Sequence, residues 1–166
     1  MSELVFLKLG GSLITDKDRR GSFRREDCLR LGREIREALD AADIRLLIGH
    51  GAGSFAHVPA ARYRVREGLP GGGGWLGYAE TRRAVVALNA LVLDAFAEVD
   101  LRPLLAPPSA LGRALGGELK GFDLIAIRAF LEANQVPLVF GDVFSTTQAV
   151  MLSAGTSMLF VATSIE

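Results

Sequence analysis

Leu4-Val5-Phe6-Leu7-Lys8-Leu9-Gly10-Gly11-Ser12 runs from a nearly unbroken apolar segment straight into paired glycines. An apolar run this short reads as a strand buried on both faces. The glycines then turn the chain where the strand ends. The pattern recurs where Leu46-Leu47-Ile48 leads into Gly49-His50-Gly51-Ala52-Gly53-Ser54-Phe55-Ala56-His57, so residues 44–48 read as a second strand. Between them, Cys28, Leu31, Ile35, Ala38 and Ala42 follow helical spacing and predict a helix over 26–42 with one apolar stripe.

The rest of the chain continues this alternation. Residues 16–25 are charged and polar and read as an exposed loop or hairpin. The glycine run 71–74 reads as a mobile loop. A long helix is predicted over 78–99. From 84 to 97 it is apolar nearly all round, which implies deep burial or a subunit interface. Residues 101–106 and 137–140 read as strands three and four, 122–134 as a helix, 149–152 as a fifth strand and 156–165 as the start of another helix. Strands alternating with helices predict an α/β fold, a three-layer αβα sandwich with a mainly parallel sheet.

Composition narrows the function classes. A chain of 166 residues is long enough for one domain with a sizeable core. Its formal net charge is zero, so no nucleic-acid partner is expected. Cys28 is the only cysteine and cannot form an internal disulfide. The first residues lack the basic and apolar regions of a secretion signal, and no apolar run approaches the ~20 residues that span a bilayer. The expectation is a cytoplasmic chain without a membrane partner.

The side chains around the glycine turns are the scarce ones. The chain has three lysines against sixteen arginines, and Lys8 and Lys17 bracket the first turn. Both histidines, His50 and His57, lie in the second. Backbone N–H groups exposed by glycine form anion-binding concavities, and a lysine beside them supplies a compact mobile charge. The N–H groups of Gly10, Gly11 and Ser12 are therefore candidate holders of phosphoryl oxygens. Lys8, set in an apolar strand, is expected to need an anionic partner to offset its burial. A tight turn with an incidental lysine is the alternative. The second turn lacks the third glycine of a dinucleotide fingerprint and the Lys-Ser/Thr of a Walker loop. Ser54 between Ala52 and Ala56 resembles a degenerate nucleophile elbow, which keeps a serine hydrolase among the readings. His57 is placed to donate to an anion on the turn, whereas His50 reads as structural. Asp142 follows a buried strand; it could orient Lys8 or Lys17, bind a metal, or serve as a cap or turn residue.

These residues carry a family resemblance. Lys8-Leu9-Gly10-Gly11-Ser12-Leu13-Ile14-Thr15-Asp16-Lys17 resembles the N-terminal signature of the amino acid kinase superfamily, and its long form is most similar to that of isopentenyl phosphate kinases. Gly51-Ala52-Gly53-Ser54-Phe55-Ala56-His57 matches the family's second motif, a glycine triplet followed by Ser-Phe-Gly-His. Gly141-Asp142-Val143 matches a third. The resemblance implies ATP-dependent phosphorylation of a small phosphate monoester to a diphosphate, with ATP and Mg2+ as cofactors and no side chain assigned to the metal. It implies that Lys8 and Lys17 hold the transferring group, with Gly10, Gly11 and Ser12 against the nucleotide's phosphates. Gly51, Ala52 and Gly53 would cradle the acceptor's phosphate, His57 would hydrogen-bond it, and Asp142 would organise the lysines. A homodimer is expected. Residues 1–145 would form the acceptor-binding lobe and 146–166 the start of an incomplete nucleotide lobe, as if the chain were truncated. Ala52 and Ala56 stand where the family has glycine, which puts the geometry of the second turn in question. Other readings are a fosfomycin-type phosphonate kinase and a non-catalytic kinase lobe that dimerises through helix 84–97.

Overall fold

The computed structural model describes residues 2–16, 18, 19, 21–65, 74–115, 118–144 and 150–152. The chain opens with β1 (Glu3–Leu9), the single turn α1 (Gly11–Ile14), α2 (Arg25–Ala41) and β2 (Ile44–His50). Next come α3 (Gly53–Arg62), α4 (Gly74–Ala97), β3 (Leu104–Leu105) and α5 (Pro108–Leu111). The hairpin of β4 (Gly112–Leu115) and β5 (Glu118–Phe122) precedes α6 (Ile125–Glu132) and β6 (Pro137–Phe140). Finally β7 (Asp142–Phe144) pairs antiparallel with β8 (Val150–Leu152).

A parallel sheet in the order β1-β2-β6-β3 forms the middle layer. Strand alternation sorts its side chains onto two faces. Leu9, Leu46, Ile48, Leu138 and Phe140 join Cys28 and Ile35 of α2 and Val85, Leu88, Val92 and Phe96 of α4 in one core. Leu47 and Val139 point the other way and pack with Ile127 and Leu131 of α6. Helices therefore cover both faces, as the alternating sequence predicts.

The register sets the chemistry at one edge. Leu9 pairs with His50, and His50 with Phe140, so three strands end level. Their continuations, Gly10, Gly51 and Gly141, leave the sheet side by side. Gly51 N donates to Leu9 O at 3.0 Å and Gly141 N to His50 O at 2.9 Å.

Several boundaries differ from the sequence reading, each for a local reason. β1 is not buried on both faces: it lies at the sheet's edge, and most of it is half-buried. The third strand shrinks to Leu104–Leu105, because Pro103 has no N–H to give a ladder and Pro107 follows closely. Phe122 belongs to β5, and the next helix starts at Ile125, whose N–H donates to Asp123 Oδ1 at 2.9 Å. α4 starts at Gly74 and buries only one side, leaving Val86 43% and Leu91 38% exposed. Of the expected loop 16–25, the described residues before Arg25 are hairpin-like, with a bridge between Thr15 and Phe23 and Asp16 N donating to Ser22 O, while Arg25 already opens α2. Of the expected loop 71–74, Gly74 belongs instead to α4, and residues 71–73 lie outside the described residues, as does the expected helix 156–165. Of the expected strand at 149–152, residues 150–152 are described and form β8.

Candidate phosphate site

The two glycine turns are one structure. A Cβ added to Gly11 would fall 2.7 Å from both Cα and N of Gly53, and one on Gly51 would fall 2.8 Å from Gly11 N. Backbone meets backbone here, so neither position has room for a side chain. Gly53 also takes φ +49, in the left-handed region that favours glycine. Thr15, buried beneath, ties the turns together: its Oγ1 donates to Gly11 O at 2.7 Å and accepts from Ser54 N at 3.1 Å. Thr15 lies within the first motif, but the residue pattern gave it no role; that role appears only once the turns meet.

The alanines do not disturb this arrangement. Ala52 sits at φ −76, ψ −9, a conformation open to any residue, and Ala56 is buried in the core beside α4. The left-handed conformation falls at Gly53, which the chain keeps.

The donors available suit an anion. α1 and α3 begin at this edge, and no side chain caps either N-terminus. First-turn N–H groups have no acceptor within their own helix. Those of the ten-residue α3, apart from Ser54 N, which already donates to Thr15 Oγ1, lie at the positive end of its dipole. Ser54 Oγ is buried and has no hydrogen-bond partner among the described residues. His57, one turn further along α3, is exposed. Lys8 is exposed as well, which corrects the argument that burial obliges it to find an anion. At the end of an edge strand its ammonium stays in water, free to meet a ligand. Ser12 is likewise exposed, while Lys17 lies outside the described residues.

His50 is structural, as expected. Its Nδ1 lies 3.1 Å from Gly51 O and its Nε2 3.1 Å from Asn89 Oδ1. Burial lowers its pKa, so the ring is neutral and carries one proton. Gly51 O can only accept, which fixes that proton on Nδ1. The amide of Asn89 serves Nε2 best when turned to present its NH2 group.

Asp142 is fully buried in β7. Its Oδ1 accepts from Val143 N at 2.8 Å and its Oδ2 from Ser109 N at 3.0 Å. Its charged partner is Arg82 of α4, at 3.5 Å, rather than Lys8. Desolvation raises its pKa, against the opposing pull of Arg82 and the backbone donors. Among the described residues there is no group of three His, Cys, Asp or Glu side chains able to hold a metal. No helix among them is long and apolar enough to cross a membrane. Ser54 Oγ bonds neither histidine, so the geometry adds no support to the hydrolase reading.

A parallel sheet covered by helices on both faces, with paired glycine turns at its carboxyl edge, defines a three-layer α/β protein with a candidate anion site at that edge. The chain belongs to the amino acid kinase family, whose model matches residues 3–166. It is 37% identical over 145 residues to the isopentenyl phosphate kinase of Methanothermobacter thermautotrophicus, covering 84% of this chain and 53% of that protein. With the isopentenyl phosphate kinase of Methanocaldococcus jannaschii it shares 31% identity over 151 residues, covering 84% and 56%. It thus spans about half the length of these relatives. A crystal structure of isopentenyl phosphate kinase superposes with a TM-score of 0.88 at 32% identity, covering 98% of this chain and 68% of that one. Carbamate kinase from Giardia lamblia shares the fold, with a TM-score of 0.62 at 11% identity.

Proposed function

We propose that this chain is the acceptor-binding part of an ATP-dependent kinase that converts isopentenyl phosphate to isopentenyl diphosphate. The observation that supports the reading is the close backbone approach of Gly11 to the Gly51–Gly53 turn, which would set the two proposed phosphate cradles side by side. Phosphoryl transfer needs donor and acceptor phosphates in line at short range, and little else from the protein beyond charge. Gly51, Ala52 and Gly53 would hold the acceptor's phosphate, with His57 donating to it. Gly10, Gly11 and Ser12 would receive the phosphates of ATP. An oxygen of the acceptor attacks the γ-phosphorus, the bond to ADP breaks, and Lys8 and Lys17 balance the charge that spreads over the transferring group. Mg2+ would reach the site with the nucleotide, since magnesium commonly rests on substrate phosphates. The names of the relatives support this acceptor over an amino acid or a phosphonate.

Residues 1–145 would then be the acceptor lobe, and 146–166 would lead into the nucleotide lobe. The exposed Val86 and Leu91 on α4 support assembly as a homodimer, and a cytoplasmic setting suits such a kinase.

Isothermal titration with isopentenyl phosphate and with ATP, on wild type and His57→Ala, tests the reading. Loss of a charge-assisted hydrogen bond should cost about 1.5–3 kcal/mol of acceptor binding and leave ATP binding unchanged. Equal acceptor affinities would remove His57 from the site. No acceptor binding by the wild type would refute the proposed substrate.

A further inference from the structure

The Arg82–Asp142 pair differs from the other described ion pairs because its carboxylate is wholly buried. Both carboxylate oxygens already accept backbone N–H groups, from Val143 and Ser109. Arg82 Nη1 comes no closer to Oδ1 than 3.5 Å. That nitrogen is buried, with no hydrogen-bond partner among the described residues. A guanidinium keeps its charge at any ordinary pH, and its N–H groups form a rigid fork. A buried charged donor left unfilled costs more than a neutral one, so an anion is the natural complement.

The position of the fork says which anion. Arg82 Cζ lies 5.7 Å from the centre of the Phe140 ring, and Phe140 stacks on His50, with centroids 5.7 Å apart and planes 16° from parallel. Phe140 and His50 are the last residues of β6 and β2, paired in register. The guanidinium therefore stands at the carboxyl edge of the sheet, beside the strand end that opens into Gly51.

We propose that Arg82 is a further binding residue of this site, its fork taking oxygens of the phosphate held on the Gly51–Gly53 turn. Planar bidentate recognition of phosphate is the task for which arginine surpasses lysine. Asp142 is then a positioning residue: anchored by the N–H groups of Ser109 and Val143, it fixes the guanidinium without touching the ligand. The inference rests on the proposed acceptor site.

The test uses isothermal titration with isopentenyl phosphate, inorganic phosphate and ATP. It compares wild type, Arg82→Met, Arg82→Lys, Asp142→Asn and the Arg82→Met/Asp142→Asn double variant, after thermal melts. Methionine keeps an apolar stem over Phe140 and removes the fork. Arg82→Met should weaken both phosphate ligands by about tenfold or more, as loss of a charge-assisted pair implies, with ATP unchanged. Arg82→Lys should fall between. Asp142→Asn should weaken phosphate binding only where Arg82 is present. Unchanged phosphate affinity in Arg82→Met, with a lowered melting temperature, would overturn the proposal and leave Arg82 as a counter-charge for Asp142. Should Arg82→Met fail to fold, Arg82→Lys decides: undiminished affinity for both phosphates overturns the proposal, and a selective loss upholds it. Arg82-dependent binding of inorganic phosphate without binding of isopentenyl phosphate would uphold the role of Arg82 and refute the acceptor. Binding of neither by the wild type would refute both.

Discussion

Gly53 concentrates two constraints in one residue. Its φ of +49 disfavours any side chain, and a Cβ there would fall 2.2 Å from Thr15 Oγ1. Gly21 shares only the first constraint, with φ +62 and nothing within 4 Å of its Cβ position. Gly21→Ala should therefore cost the backbone term alone, about 1–2 kcal/mol. Gly53→Ala should add overpacking, for a total of about 2–5 kcal/mol. Urea unfolding of the two variants measures the difference, and equal costs would mean that the Thr15 contact constrains nothing. His50 makes a prediction in pH. Its folded pKa lies below the unfolded value of 6.5, so below that pH the unfolded chain binds a proton that the folded chain refuses. Stability should fall as pH drops through 6.5, with a limiting slope of about 1.4 kcal/mol per unit, until the folded histidine is itself protonated. Asp142 acts in the opposite sense at lower pH: its raised pKa lets the folded state bind a proton first, which offsets part of the loss once pH nears the carboxylate range. Melting temperatures from pH 7.5 downward should show a shallower decline for His50→Gln than for wild type (the pH range spans His50's titration). Parallel curves would assign the acid sensitivity to other groups.

At the scale of elements, α2 meets α4 through Gly32, whose absent side chain lets Phe96 and Val99 come close. A Cβ there would lie 2.8 Å from Val99 Cγ2 and 3.0 Å from Phe96 Cδ1. Alanine would gain about 0.8–1 kcal/mol in helix propensity but lose about 1–3 kcal/mol to overpacking, since Phe96 is fully buried. Gly32→Ala should thus destabilise by up to about 2 kcal/mol in urea unfolding, and Phe96→Leu in the same chain should recover part of that loss. A stabilised Gly32→Ala would show that the helices separate freely. Elements with a plain apolar pattern were legible in the sequence: β2 stands where its continuous apolar run put it, and the stripe of α2 where helical spacing put it. The β4–β5 hairpin was not, because Gly112-Arg113-Ala114-Leu115 and Glu118-Leu119-Lys120-Gly121-Phe122 are short and carry no clear alternation. The Gly116-Gly117 pair between them was the available turn signal. The edge position of β1 was equally hidden, since strand order is a property of the whole sheet.

For the molecule as a whole, the parallel register makes the site. Residues 10, 51 and 141 are remote in sequence, yet the level ends of β1, β2 and β6 deliver them to one edge. The glycine turns, Lys8, His57 and Asp142 were all visible as motifs, because each needs an unusual residue beside a strand end. Arg82 and Asn89 were not, because they reach the edge from within a long helix where nothing in the spacing marks them. The Gly51–Gly53 turn, packed against Gly11, is the proposed cradle of the acceptor's phosphate. Titrating 15N-labelled protein with isopentenyl phosphate while following backbone amide resonances tests it most directly. Saturable shifts are expected to centre on Gly51, Ala52, Gly53 and Ser54, and to reach Gly11 through its backbone contact with Gly53. No saturable shift, or shifts centred on another part of the molecule, would contradict it.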